Sequence, residues 1–471
     1  MVGRTRNVGR LLAGLFAVLL VYLAFVQVIW GPQLAASPQN PRLALAAERI
    51  HWGRILDRRL TVLADSVGTG PSQVRRYPQG TSFAHVLGYR SRRYGLTGIE
   101  RRADLALLGL PVTDPWQALQ EAFGRTPEGN DVVLTLDAAV QQAAVRALGN
   151  VRGAVVVLDP RTGAVLALVS RPGFDPATVD AQWAALSRDL SAPLYDRATQ
   201  GQYPPGSSFK TVTLTAALGS GRVRLSDPVN CPEAIDVGGA LIHNFEHEQF
   251  GQISVLQAFV ASCNTAFVQI GQRTGAQPIV AAARAFGLGQ PVRFDLPASS
   301  GYVPPLRDLG ARGLAQIAFG QGSLLVTPLQ MALVAAAVGN GGTMMSPFLV
   351  SQIRAPDGRI RQTFAQRGSR EVMAASLAGE LAQAMVQVVQ SGTGTAAQLP
   401  GVRVAGKTGT AENPHGNTHA WFIAFAPADR PVVALSVIVE NGGVGGQVAA
   451  PIARQVLAAA LQVQSAAGGR P

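Results

Sequence analysis

An uncharged, strongly apolar run from Leu11 to Trp30, preceded by Arg4, Arg6 and Arg10, constrains this chain more than any other stretch. Twenty helical residues cover about 30 Å, the hydrocarbon thickness of one bilayer. Basic residues on the leading flank stay in the cytoplasm, so residues 1–10 are expected inside, 11–30 across the membrane and the remainder outside. A cleaved signal peptide is the competing reading, with small residues at Ala35-Ala36-Ser37, but its apolar region would run only about 7 to 15 residues. Pro32, Pro38 and Pro41 mark a linker clear of the membrane.

Beyond the linker the chain is long and apolar enough to bury a large core in two extramembrane modules, with 47% hydrophobic residues in 471. The first is expected over residues 31–130. Val132 to Asp137 then leads into a short helix, Ala138 to Leu148, which places the start of the second module at residue 131. Ala154 to Leu158 and Ala164 to Ser170 read as strands joined by a hairpin at Asp159-Pro160-Arg161-Thr162-Gly163. From Leu214 to about Met385 the pattern is mostly helical and alanine-rich. Strand signals return at Val402 to Ala405, Ala420 to Ala426 and Val432 to Val439, before a last helix over Ala450 to Leu461 and a frayed tail from Ser465. Strands at both ends of a helical middle predict a mixed α/β (α+β) sandwich built on an antiparallel sheet.

The formal charge of +12 fits an anionic partner such as a membrane surface or a pyrophosphate-linked substrate, or simply a bias toward arginine. No basic run is interleaved with aromatics, which excludes the usual nucleic-acid binder. Of the 40 basic residues only Lys210 and Lys407 are lysines, and both sit in short glycine-bearing motifs. Arginine cannot give up its proton in a protein, whereas a desolvated lysine beside another cation can. In Pro204-Pro205-Gly206-Ser207-Ser208-Phe209-Lys210, the prolines end an extended segment, Gly206 turns it, and Ser207 and Lys210 share one face of a starting helix. By itself S-x-x-K is common by chance. Two partners give it weight: Ser262-Cys263-Asn264, 55 residues on, and Lys407-Thr408-Gly409-Thr410, a further 145 on.

S-x-x-K, S-x-N and K-T-G in this order resemble the active-site motifs of the penicillin-binding proteins, the penicilloyl serine transferases. Arg161 to Ala167, Gly320-Gln321-Gly322, Thr327 to Ala332 and Ser391-Gly392-Thr393 look like further landmarks of that family. The likeness is close from residue 131 to the end and looser before residue 110, where Arg54 to Ala64, Gly95 to Glu100 and Leu108-Gly109 resemble the pedestal of class B, monofunctional members. Arg59-Leu60 stands where that family often has Asn-Gly, so a different turn is expected there. About 100 residues between Trp30 and Asp131 leave no room for a glycosyltransferase domain.

The resemblance implies a penicillin-binding transpeptidase fold and a peptidoglycan D,D-transpeptidase working through a serine acyl-enzyme. Ser207 would be the nucleophile and Lys210 its base, kept neutral with help from Lys407. Backbone N–H groups of Ser207 and Thr410 would hold the oxyanion. Ser262 would relay a proton, Asn264 would hold a substrate amide, and Lys407 with Thr408 and Thr410 would bind the terminal carboxylate of a D-Ala-D-Ala peptide. Gly409 would make room for a ligand backbone lying against its strand. Lipid-linked peptidoglycan with its stem peptides, β-lactams, the cytoplasmic membrane and a SEDS-type glycosyltransferase would be the partners, and no metal or organic cofactor is implied. The same motifs also serve D,D-carboxypeptidases and β-lactamases, though no Glu-x-x-Leu-Asn stretch lies between Asn264 and Lys407. A non-catalytic β-lactam sensor or wall-assembly scaffold is the reading from another class.

Other candidates receive plain readings. His243 and His247, like His415 and His419, stand four apart without H-E-x-x-H, and although Glu246 completes an H-x-x-E-H pattern, Gly238, Gly239 and Gly251 argue against the long helix such a site needs. No metal is expected there. An oxidising compartment permits a disulfide between Cys231 and Cys263, but the place of Cys263 inside S-x-N favours free buried thiols, and that is the expectation. Glu412 reads equally as an ordering carboxylate or a surface one, and Tyr203 as a cleft wall or a packed turn aromatic.

Overall fold

The computed structural model describes residues 2–31, 49–68, 70–110, 128–364, 368–413 and 416–468. The linker prolines, Ala35-Ala36-Ser37 and His415 lie outside them. The N-terminal apolar run is helical over Val2–Phe25 and continues as a wider π-type turn over Val26–Trp30. The most apolar 18-residue window within Arg6–Trp30 has a mean hydropathy of 2.6 and is not covered by the rest of the described chain, so the helix is long and apolar enough to cross a membrane.

Five antiparallel strands form the central sheet, in the order Ala405–Ala411, His419–Ala426, Val433–Val439, Gly153–Leu158, Val165–Arg171. Their near-continuous apolar sequence follows from burial of both faces. Val155, Val157, Leu435 and Val437 face helices Ala138–Leu148 and Ala449–Gly468. Ala154, Val156, Trp421 and Ile423 face the opposite layer, where helix Pro328–Gly339 packs. That helix begins with a capping box in which Thr327 and Gln330 exchange bonds, which accounts for the Thr327-Pro328 landmark. Helix Lys210–Gly219 is the centre of the helical half, buried on nearly every side by Asn264–Thr274, Ala276–Ala285 and Ala375–Ser391.

The hairpin at Asp159–Gly163 and the helix Ala138–Leu148 form where the sequence predicts them. Three expectations are corrected. The mostly helical middle carries short hairpin strands, among them Pro228–Cys231, Ala234–Val237, Ala240–His243 and Gly251–Ser254, each too brief to show a periodic pattern. The strand expected to begin at Val402 begins only at Ala405 and runs to Ala411, taking in Lys407-Thr408-Gly409-Thr410 as the resemblance implies. The last helix extends through Ala449–Gly468, past the expected end at Leu461 and into the first residues of the tail expected from Ser465.

A second sheet, of six strands, runs Ile360–Thr363, Val350–Arg354, Asp131–Leu134, Ile55–Leu56, Val62–Val67, Val74–Arg76. It ties the pedestal to the C-terminal part, since Asp131–Leu134 pairs with Ile55–Leu56 on one side and Val350–Arg354 on the other. Asp57 strengthens the tie, accepting from Arg59 N and Thr61 N at 2.8 Å and from Ala138 N at 3.0 Å. In that turn Leu60 takes φ +67°, the left-handed conformation that glycine would adopt without strain. Glu100, wholly buried, holds Arg75 at 2.6 Å and Arg90 at 3.2 Å.

Candidate active site

Gly206–Phe209 forms a single 3-10 turn that passes directly into the helix beginning at Lys210. The turn is pinned from several directions. Gly206 N–H donates to Gly320 O at 2.9 Å, and a Cβ on Gly320 would stand 1.9 Å from Gly206 O, which explains the Gly320-Gln321-Gly322 landmark. Trp421 Nε1 donates to Pro204 O at 3.0 Å. Ser208 is buried with its hydroxyl on Pro205 O, leaving half-buried Ser207 to face the cleft.

Helix Val255–Val260 ends just before Ser262, whose φ of +62° is strained for a residue with a side chain. The strain turns its carbonyl inward, where Lys210 Nζ donates to it at 2.5 Å. Lys210 Nζ also donates to Asn264 Oδ1 at 2.8 Å and lies 3.3 Å from Ser262 Oγ. Lys407 Nζ approaches the same Oγ at 2.9 Å and Thr408 O at 3.1 Å. Ser262 Oγ therefore stands between the two lysine nitrogens. Both lysines are fully buried, beneath the cleft floor rather than on it. Burial, and next the neighbouring Lys407, push Lys210 well below the ordinary lysine range. Burial brings Lys407 down to about 7.

The strand Ala405–Ala411 is the sheet's edge and lies against the serine turn. A Cβ on Gly206 would lie 2.6 Å from Thr410 O, so turn and strand touch backbone to backbone. Gly409 is glycine for the same reason: its Cβ would meet Pro205 O and Trp421 Cβ at 2.8 Å. The space it leaves is filled by the chain itself, so packing alone requires a glycine here. Thr408 and Thr410 share the strand's cleft-facing side, with the Thr408 hydroxyl 2.6 Å from that of Thr393. The Thr410 hydroxyl accepts from Gly445 N at 3.3 Å. The cleft they line has a volume of about 850 Å³ and also includes Ser207, Ser262, Asn264 and Gln321. A larger cavity of about 1230 Å³ lies at the pedestal, away from this chemistry.

Cys231 and Cys263, expected to be free, are joined in a disulfide with Cα atoms 6.4 Å apart. Strand Pro228–Cys231 packs on helix Asn264–Thr274, Gln269 Nε2 donating to Asn230 O at 2.7 Å, and this brings Cys231 to the helix start that Cys263 caps. Glu412 is exposed at the rim, as the surface reading has it. Tyr203 is buried against Trp421 and His419 rather than forming the cleft wall. His243 and His247 do meet, ring centroids 5.0 Å apart, on a hairpin end and a turn rather than a helix.

Two supports escaped sequence reasoning. Buried Asn244 accepts from Asn264 N at 2.8 Å and Thr265 N at 3.0 Å, fixing the start of that helix. Glu440 accepts from Tyr203 Oη at 2.7 Å and from buried Arg197 Nε at 2.8 Å, tying the approach to the serine turn onto the sheet. Neither carries a local pattern; a polar residue ending an apolar strand, as Glu440 does after Val439, is the only signal.

The arrangement brings together a cleft-facing serine turn, a buried lysine at the start of the helix that follows it and a strand edge against the turn, a set suited to acyl transfer. A family model for the penicillin binding protein transpeptidase domain matches residues 153–458, and one for the penicillin binding protein A dimerisation domain matches residues 52–132. The peptidoglycan D,D-transpeptidase PbpA of Mycobacterium tuberculosis is 38% identical over 97% of this chain and 98% of its own length. The peptidoglycan D,D-transpeptidase MrdA of Acinetobacter baumannii is 31% identical over 81% of this chain and 65% of its own. The ceftriaxone acyl-enzyme complex of penicillin-binding protein A from M. tuberculosis superposes with a TM-score of 0.84 at 37% identity, covering 89% of this chain and all of that one. A D,D-transpeptidase domain from Eggerthella lenta gives 0.80 at 35% identity, covering 89% of this chain and 100% of that one.

Proposed function

This chain belongs to the class B penicillin-binding protein transpeptidases, and from that premise we propose how its own residues crosslink peptidoglycan. It is a serine-type peptidoglycan D,D-transpeptidase that β-lactams inhibit by forming an acyl-enzyme. Residues 1–10 stay in the cytoplasm, 11–30 anchor the chain in the inner membrane, 31–130 form the linker and pedestal, and 131–471 work outside. The basic flank of the apolar helix supports this orientation. A SEDS-type glycosyltransferase supplies the glycan strand.

Lys210, neutral because it is buried beside another cation, takes the proton of Ser207 as its Oγ attacks the carbonyl between the two terminal D-Ala residues. The oxyanion is held by the N–H groups of Ser207 and Thr410, brought together by the Gly206 contact. As the C–N bond breaks, Ser262, standing between the two lysines, passes a proton to the departing D-Ala amine. Asn264 holds the stem-peptide amide, while Lys407, Thr408, Gly409 and Thr410 form the strand edge along which the donor peptide and its terminal carboxylate lie. An amine of a neighbouring stem then attacks the ester, forms the crosslinking amide and restores Ser207. A β-lactam opens the same way but keeps its leaving nitrogen tethered, so the ester persists.

The single observation that carries the residue assignment is Lys210, buried and held by both members of S-x-N directly behind the serine turn. Intact-mass analysis of the detergent-solubilised full chain after benzylpenicillin tests it. One stable adduct per chain, absent in Ser207→Ala, is expected. Rapid loss of the adduct with hydrolysed drug would point to a hydrolase, and persistent labelling of Ser207→Ala would remove Ser207 as nucleophile.

A further inference from the structure

Glu233, His243 and His247 gather beside the cleft, their ligand atoms within 4.8 Å of one another and exposed to solvent. The backbone itself assembles this cluster. Ala234–Val237 pairs with Ala240–His243 so that Ala234 faces His243, and Asn244 N donates to Glu233 O at 3.0 Å. Glu246 at φ +51° and His247 at φ +57° then take successive left-handed conformations without a glycine. That reversal carries His247 back until its Nδ1 lies 2.8 Å from Glu233 Oε1 and its ring 5.0 Å from that of His243. Two imidazoles and one carboxylate are a ligand set that zinc accepts with a fourth position left to water. Tetrahedral bonds of about 2.0–2.1 Å put donors about 3.3 Å apart, a spacing that small rotations of these surface side chains reach.

We propose that Glu233, His243 and His247 bind one divalent transition-metal ion, zinc by preference, which clamps the turn that holds Asn264. His243 O accepts from Asn264 Nδ2 at 3.1 Å, and the adjacent Asn244 fixes both Asn264 N and, through its Nδ2, Glu248 O at 2.8 Å. Asn264 in turn holds Lys210 Nζ. An ion joining Glu233 to His247 closes the ends of this segment, so the S-x-N turn loses freedom when the ion binds and regains it when the ion leaves. The ligand Glu233 replaces Glu246, the acidic residue of the H-x-x-E-H pattern. The clamping half rests on the catalytic reading above; the binding half does not.

The test uses the untagged full chain in detergent, stripped of metal and titrated with zinc chloride by calorimetry. One equivalent per chain is expected. His247→Ala and Glu233→Gln, each removing a direct ligand, should weaken binding by more than the roughly 10–100-fold lost with a residue behind a ligand. Absence of zinc uptake by the unaltered chain, or uptake undiminished in both variants, would overturn the site. Stopped-flow acylation by a fluorescent penicillin, with and without zinc, then reads the clamp: a severalfold zinc-dependent rate change, lost in His247→Ala, supports it, and an equal rate at saturating zinc overturns it. If no preparation is acylated, the catalytic reading fails while the calorimetry still decides the metal.

Discussion

Lys407 holds its proton weakly because water is excluded from it, and that property has a measurable sign. Its value falls from 10.5 to about 7 on folding, so between those values the native chain carries fewer protons than the unfolded one. Stability therefore rises with pH across that window, by up to about 1.4 kcal/mol per unit, and the deficit is constant below it. Lys407→Met should flatten this slope in urea titrations run between pH 7.5 and 9.5, and an unchanged slope would mean that the ammonium is hydrated in the native state. The lysines were legible from sequence because this chain spells its other cations as arginine. The left-handed Ser262, the support from Asn244 and the bond between Cys231 and Cys263 were not, since each depends on what packs around a residue and not on which residue it is.

At the scale of elements, the site is a turn pressed on a strand edge, and the contact tolerates no extra atom. Gly409→Ala puts a Cβ 2.8 Å from Pro205 O, so turn and strand must part. A displacement of about 1 Å costs roughly 10²-fold in a positioned reaction; penicillin acylation should slow by that order while circular dichroism stays native. Glu440→Gln leaves Arg197, its side chain 2% exposed, without its carboxylate. Breaking such a buried pair costs about 3–5 kcal/mol, to be read in denaturant unfolding. The sheet strands were predictable from apolar runs buried on both faces, apart from the strand Ala405–Ala411, whose polar Lys407-Thr408-Gly409-Thr410 segment was placed on a strand edge only through the family resemblance. It is a strand because an edge can point its threonines into a cleft and bury its lysine behind them.

For the molecule as a whole, the pedestal is joined to the C-terminal part by a shared sheet. Cutting at residue 131 removes Ile55–Leu56 from Asp131–Leu134 and strips Asp57 from Ala138 N, exposing a strand edge. A chain beginning at residue 131 should associate at concentrations where one beginning at residue 49 stays monomeric in size-exclusion chromatography; equal behaviour would show that the pedestal edge needs no cover. The shared sheet was not readable from the sequence, because Val350–Arg354 returns more than 200 residues after Asp131–Leu134. The burial of both lysines reaches beyond catalysis. Amine-directed dyes, crosslinkers and acylating agents find no lysine on the outside of the described chain, so any ε-amine they do modify reports an opening of the core around Lys210 and Lys407. The protein thus carries a built-in chemical gauge of its own integrity, readable by peptide mapping after arginine-specific digestion.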